Sequence, residues 1–342
     1  MTKLFAGMQN SILVIESSKS GWKTQERLKG SQPQSIAVDR RRTNRAYCGT
    51  FNEGLWKTDD GGNTWEKDDM DTRPVDSKVM SVSVNPLEES KHGYSKLYVG
   101  TEPSALYLSN DGGESWEKLS ALNKLQSSNS WSFPPRPWTS HIRWIEPDAN
   151  SLGYIFVAIE AGALVQSRDG GKTWRDRVKQ GPYDTHTLST HKLAPMRLYS
   201  SAGDGYFESL DYGESWSSPS KGIKHHYLFG LAVDSGNPQV VIVSASLSAL
   251  QAHWIENANS LVYRRSADGE HWNVISEGLP EPKGTISTIL VSNPYSAGEF
   301  FAINNRGIFT STDSGLSWNR LNIMWPKEYL EHHPWSLAVG KE

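Results

Sequence analysis

Thr58-Asp59-Asp60-Gly61-Gly62-Asn63-Thr64-Trp65 is the first clear copy of a unit that returns along most of the chain. It recurs as Ser109-Asn110-Asp111-Gly112-Gly113-Glu114-Ser115-Trp116 and Ser167-Arg168-Asp169-Gly170-Gly171-Lys172-Thr173-Trp174. Further copies are Ser209-Leu210-Asp211-Tyr212-Gly213-Glu214-Ser215-Trp216 and Ser311-Thr312-Asp313-Ser314-Gly315-Leu316-Ser317-Trp318. One copy is a residue short, Ser266-Ala267-Asp268-Gly269-Glu270-His271-Trp272, and a decayed one stands at Ser17-Ser18-Lys19-Ser20-Gly21-Trp22. The chemistry of the unit is local. A short aspartate accepts hydrogen bonds from the N–H groups of its own turn, and glycine takes the positive φ a tight turn needs. The leading Ser or Thr adds a second local bond. The Trp buries a large ring against the next sheet. Alternating runs such as Leu97-Tyr98-Val99-Gly100 and Leu106-Tyr107-Leu108 precede the turn, so each unit reads as a hairpin with an anchor.

The pattern Ser-x-Asp-x-Gly-x-Thr-Trp resembles the Asp-box, or BNR, repeat of sialidases, sortilin-type receptors, xyloglucanase-type glycoside hydrolases and a photosystem II assembly factor. The resemblance covers nearly the whole chain. It implies an all-β fold, a β-propeller, with each Asp-box between the third and fourth strands of a blade and opposite the usual active face. On that reading Asp60, Asp111, Asp169, Asp211, Asp268 and Asp313 are architectural.

Strand patterns that would open a blade stand ahead of the repeats at Ser35–Asp39, Ser81–Pro86, His141–Pro147, His186–His191, Leu231–Asp234 and Ile289–Pro294. A seventh, Trp335–Val339, has no repeat after it, and the N-terminal blade lacks a first strand. The spacing therefore predicts a single seven-bladed β-propeller domain over residues 1–342, its ring closed when the C-terminal strand completes the N-terminal blade.

In propellers of this kind the loops between blades, and between second and third strands, gather on one face around the channel. Here they carry Trp131, Phe133, Arg136 and Trp138, then Tyr183, Asp184 and His186, then His225 and His226, then Trp325, Tyr329, His332 and His333. Blade six adds an insertion near residues 247–259 with His253, Trp254 and Glu256. Nine residues before each turn aspartate lie Phe51, Glu102, Glu160, Ala202 and Asn304, while Glu53 and Asp204 sit two residues further on. Aligning the inner strands puts Gln34, Met80, His141, His186, Phe229, Thr288 and Trp335 at one level. One sector thus collects Glu102, Glu160, Asp204, His141, His186 and Arg143.

Three readings of that sector stay open. Two carboxylates can act as acid and base, as glycoside cleavage requires. Imidazoles and carboxylates can hold a divalent metal ion, with His141 and His186 as ligands. Or the groups solvate a channel. The leading expectation is an enzyme hydrolysing or eliminating on a polar small molecule or glycan fragment. Catalysis would fall to Glu102, Glu160, His141, His186 and Asp204, and ligand contacts to Glu53, Trp131, Trp138, Arg143, His226, Trp254 and His333. The alternative is a non-catalytic platform that docks a protein partner.

Composition trims the field. Charged residues are 21% of 342 and the formal net charge is −3, so no global field recruits nucleic acid or an anionic membrane. The single cysteine, Cys48, allows no internal disulfide, and no apolar run reaches the length of a bilayer span. The expectation is a soluble cytoplasmic protein. A sialidase would need three carboxylate-gripping arginines, a sortilin-like receptor would need disulfides, and a photosystem assembly factor would need a targeting segment. None of these features is evident in the sequence.

Overall fold

The computed structural model describes residues 1–68, 78–89, 93–266 and 268–341, so Ala267 of the short repeat copy lies outside the described residues. Its strands form seven antiparallel sheets. Blade two runs Pro33–Val38, Ala46–Thr50, Gly54–Thr58 and Glu66–Lys67 from the axis outward; blade three follows with Lys78–Glu89, Ser95–Glu102, Leu106–Ser109 and Glu117–Lys118. Blades four (Ile142–Pro147, Ile155–Ile159, Ala163–Ser167) and five (Thr185–Thr190, Leu198–Ala202, Gly205–Ser209) have three strands each. Blade six has Tyr227–Asp234, Asn237–Ser246, Leu261–Arg265 and Trp272–Ile275; blade seven has Ile289–Ser292, Phe300–Asn304, Gly307–Ser311 and Asn319–Arg320.

Blade one joins distant parts of the chain. Its inner strand is Ser336–Lys341, which pairs antiparallel with Thr2–Gly7 from Thr2↔Lys341 to Gly7↔Ser336. Ile12–Ser18 and Gly21–Arg27 complete it. Each inner strand contacts the next around the ring, and that of blade one touches those of blades seven and two. The ring is closed as the spacing requires.

The second strand of a blade is covered on both faces by its neighbours, so it cannot alternate apolar and polar residues. Ala46–Thr50, Ile155–Ile159, Leu198–Ala202 and Phe300–Asn304 are buried at every position. Cys48 sits in the first of these, and burial pushes its thiol well up.

The repeated turns close the third strand. In Ser109–Trp116 the Ser109 hydroxyl accepts the Gly113 N–H at 2.8 Å, and Asp111 accepts the Ser115 N–H at 2.9 Å and its hydroxyl at 2.5 Å. Gly112 and Gly113 take φ of 77° and 98°. Tyr212 and Ser314 stand where four other copies have glycine and are held at φ of 60° and 63°. The Trp rings reach between blades: Trp65 meets Phe5 of blade one edge-on, with centroids 6.3 Å apart.

A second repeated device caps the inner strands at the same end of the ring. Asp39, Asn85, Asp148, Asp234 and Asn293 each accept the N–H two residues on, closing the turn into the second strand. The outer edges of blades four and five shrink to single bridges, Gln166↔Arg175 and Glu208↔Ser217. After Arg175 the chain is drawn toward the link before blade four, where Asp176 accepts the Ser127 N–H at 2.9 Å. Among the described residues no helix is long and apolar enough to cross a membrane.

Candidate functional site

At the loop-bearing mouth of the channel the inner strands break register. Pairing skips between Pro33 and Ser35, Val79 and Ser81, Ile142 and Trp144, Thr185 and Thr187, and Leu228 and Leu231. The skipped residues are Gln34, Met80, Arg143, His186 and the pair Phe229-Gly230. Bulges re-aim side chains, and here they turn five of them at the mouth. This register corrects the sequence alignment in blade four. The equivalent of His186 is Arg143, two residues past His141. His141 matches Asp184 instead: each carbonyl accepts an N–H from the hairpin of its own blade, Glu160 and Gly203 respectively.

The mouth gathers one continuous network. His141 Nε2 lies 2.7 Å from Glu160 Oε2, and its Nδ1 faces Glu102 Oε2 at 3.5 Å. Glu102 is buried and receives Arg136 through both oxygens, at 2.9 and 2.5 Å, with Lys78 Nζ at 3.4 Å. Arg136 itself stacks near Phe51 and Phe133. Arg143 is buried, with Nε 3.7 Å from Glu160 Oε2 and its guanidinium 4.9 Å from the Phe229 ring. His186 is fully buried; its Nδ1 meets the Leu228 carbonyl at 2.6 Å, and its Nε2 faces Asp184 Oδ2 at 3.6 Å and Glu160 Oε1 at 3.9 Å. Asp184 Oδ1 accepts the Ala161 N–H at 2.7 Å. Gly203 is required beside it: a Cβ there would lie 2.1 Å from Asp184 Oδ2.

Burial favours the neutral form of every one of these groups, and neighbouring charges decide the outcome. Burial raises Glu102, but Arg136, His141 and Lys78 more than offset it and leave the carboxyl below its usual range. Burial raises Glu160 too, and His141, His186 and Arg143 pull it well below. Both carboxylates are therefore ionised at neutral pH. Asp184 goes the other way, raised by burial with Glu160 and Asp204 adding to it. Burial also lowers Arg143.

Beside this network runs a relay of rings. The Tyr227 hydroxyl lies 3.0 Å from His253 Nε2, His253 Nδ1 lies 2.8 Å from His333 Nε2, and His333 Nδ1 lies 2.7 Å from the Pro334 carbonyl. His333 stacks on Trp335 at 3.9 Å, and Phe229 packs edge-on to His253 at 4.6 Å. Burial holds His333 down at about 4, and burial, with the His333 ring beside it, holds His253 well below its ordinary value.

Below this network the channel holds a cavity of about 380 Å³. Arg143 and Trp335 line it, and so do Glu146 and His191 toward the opposite end; Glu102, His141, Glu160 and His186 do not. Burial raises Glu146 to about 7, against three hydrogen bonds from Thr190 and Trp144. The structure thus joins Glu102, His141, Arg143, Glu160 and His186 in one network and sets His333 in the adjoining relay. The other sequence candidates lie elsewhere. Asp204 accepts the N–H groups of Tyr183 and Asp184 and so fixes the Asp184 segment. Trp131 is in the core, its Nε1–H bonded to Ser127. Trp138 and Trp254 are 80% and 51% exposed in the mouth-side loops, and His226 is exposed as well. Glu53 lies in the blade-two turn and is not one of the bonded groups. Asp184, Tyr227, Phe229 and His253 belong to the mouth and were not among the sequence-derived site residues. The alternation Asp184-x-His186 just before a strand was the available signal for the first.

A family model described as photosynthesis system II assembly factor YCF48 matches residues 14–181. Among curated proteins, xyloglucanase Xgh74A of Acetivibrio thermocellus is 24% identical over 290 residues, 71% of this chain and 32% of the relative. A probable oligoxyloglucan-reducing end-specific xyloglucanase of Neosartorya fischeri is 21% identical over 343 residues, 76% of this chain and 40% of the relative. The chain thus spans less than half the length of these relatives. Among solved structures, the Niastella koreensis GH74 enzyme aligns with a TM-score of 0.66 at 16% identity, covering 91% of this chain and 51% of that one. YCF48 bound to D1 peptide aligns with a TM-score of 0.57 at 19% identity, covering 85% and 82%. The chain is a seven-bladed propeller with BNR-like repeats, similar both to GH74 xyloglucanases and to the YCF48 assembly factor.

Proposed function

We propose that this BNR-type propeller is a docking platform that receives a segment of a protein partner on its loop-bearing face. One observation carries the reading: the two carboxylates best placed for glycoside cleavage, Glu102 and Glu160, are both locked in ion pairs and held ionised. Two-carboxylate hydrolysis needs one of the pair protonated to serve as the general acid. The mouth-side loops, in contrast, offer large exposed apolar groups: Trp138, Trp254, Leu247, Leu250 and Met324. Exposed tryptophans are the side chains that most often anchor partners. Size supports the same reading. The peptide-binding YCF48 structure is matched over most of both chains, whereas the xyloglucanases are matched over only part of their length.

Site-specific photocrosslinking in the native cell tests this. Probes at Trp138 and Trp254 should capture the same protein, while probes at Leu152 and Leu193 on the opposite face should not. Binding of that purified partner should weaken at least tenfold in the Trp138→Ala/Trp254→Ala variant. Turnover of a xyloglucan oligosaccharide, abolished by Glu160→Gln, would overturn the platform in favour of the enzyme.

A further inference from the structure

We propose that Glu160, Asp184 and His186 form a binding site for one divalent transition-metal ion, with zinc the best fit to the donor set. The three donor atoms lie within 4.8 Å of one another. This inference goes beyond the docking reading and stands without it.

The argument begins with proton counting along the relay. His333 and His253 are neutral, so each ring carries one proton. The Pro334 carbonyl can only accept, which places the His333 proton on Nδ1 and makes Nε2 an acceptor. His253 must then donate from Nδ1, and its Nε2 accepts from the Tyr227 hydroxyl. That hydroxyl has spent its only proton. The Leu228 carbonyl can only accept, which engages the N–H at His186 Nδ1 and turns Nε2 toward Asp184 and Glu160. His186 Nε2 is the ring atom left to face the site, within a fully buried ring, with the Tyr227 oxygen at 3.4 Å and Asp184 Oδ2 and Glu160 Oε1 around it. One imidazole nitrogen and two carboxylate oxygens converge there, all within 4.8 Å of one another.

The surroundings are built to leave those atoms free. Glu160 spends Oε2 on His141 and Arg143, so Oε1 is the oxygen turned toward His186. Asp184 spends Oδ1 on the Ala161 N–H, so Oδ2 is the one turned inward. Metal-bound histidines characteristically donate their other N–H to a carbonyl, and ligating carboxylates are hydrogen-bonded in turn. Zinc–ligand bonds of about 2.0–2.2 Å set tetrahedral donor separations of roughly 3.4 Å. The His186 separations of 3.6 and 3.9 Å need only a small contraction. The side chains of Asp184 and Glu160 keep 24% and 15% exposure, so the fourth position opens toward solvent at the mouth. One imidazole and two carboxylates suit zinc among the available divalent ions.

The test is calorimetry of zinc chloride into the untagged full chain after chelator treatment, at pH 7.5. One ion per chain is expected, and Asp184→Asn and His186→Gln should each weaken it at least 100-fold. His253→Phe should weaken it about 10- to 100-fold, because the Tyr227 hydroxyl would turn its proton onto His186 Nε2. The exposed group Asp268, Glu270 and His271 is the internal control, so Asp268→Asn/His271→Gln should change nothing. Should a mouth variant fail to fold, imidazole NMR of the unsubstituted protein decides: zinc must shift the His186 ring resonances at one equivalent. A doubly protonated His186 that zinc leaves unmoved overturns the proposal. So does binding lost only in the Asp268/His271 variant, or the absence of binding at millimolar zinc.

Discussion

The two ends of the ring are built by opposite means. At one end the same eight-residue turn closes five blades and a seven-residue form closes a sixth, while an Asp or Asn caps the inner strand of five. Each of these bonds is made within a few residues of sequence. At the other end equivalent positions carry different side chains. Arg143, His186 and Phe229 come from bulges on three blades, His253 from an inserted helix, His333 from the link before the closing strand, and their partners lie tens of residues away. Repetition stabilises the scaffold by many small, independent bonds. Single-copy chemistry at the mouth depends on all seven blades holding their register.

That contrast would break first at the closure. Removing Ser336–Lys341 strips the inner strand from blade one, uncovering Leu4, Ala6 and the edge of Thr2–Gly7. Loss of the buried Leu337 and Val339 side chains and a full strand ladder costs on the order of 5 kcal/mol or more, comparable with the whole stability of a domain. Calorimetry should show no cooperative unfolding transition. A stable, monodisperse truncated chain would mean that the ring does not need its seventh inner strand.

A second, intermediate effect separates the ends by pH. Buried His333 and His253 have folded pKa values below the unfolded value of about 6.5. The unfolded chain therefore binds protons first, and this stability is full above pH 6.5 and falls as the pH drops toward 4. His333 should cost about 2 kcal/mol between pH 6.5 and 5, with His253 adding in the same direction. Urea unfolding at pH 7, 6 and 5 checks it, with His253→Phe/His333→Phe expected to flatten the profile. At the repeated end Asp60 and Asp313 act lower. Burial raises them slightly, but the hydroxyls and N–H groups of Thr64 and Ser317 hold them at about 2. Their share is present above pH 4 and lost as the pH falls toward 2. A single transition across both windows would erase the distinction.

The smallest effect sharpens the idea of repetition. Asp111→Ala, Asp169→Ala and Asp60→Ala should each cost about 1 kcal/mol, because each removes the same short-range bonds from a solvent-exposed turn. Denaturant midpoints that differ widely among the three would show that the copies are not equivalent.

Legibility followed the same divide. Ser109–Trp116 folds by bonds between residues two to four apart, so its pattern survives in the sequence, and the unpaired Trp335–Val339 gave away the closure. Glu102 and Glu160 were also found, because both lie at a fixed distance from a repeated turn. The equivalence of Arg143 with His186 was hidden by the bulge between Ile142 and Trp144, which no spacing rule marks and which shifts His141 away from His186. Trp131 was read as a stacking surface from its loop position, yet Ser127 and the core around Leu122 and Ile159 claim it. The turned-in position of Asp184 rests on Ala161, Gly203 and Asp204, three contacts from two blades that only the folded ring brings together.

The pairing of Thr2–Gly7 with Ser336–Lys341 also sets a clock. The two strands are separated by roughly 330 residues, which a ribosome adding about 5–20 residues per second takes on the order of 20 to 70 seconds to translate. Throughout that interval the earliest strand has an open edge facing the cell, and six finished blades wait on it. The first blade begun is the last completed, so the nascent chain passes its longest exposure at Thr2–Gly7, where a chaperone would find it unpaired.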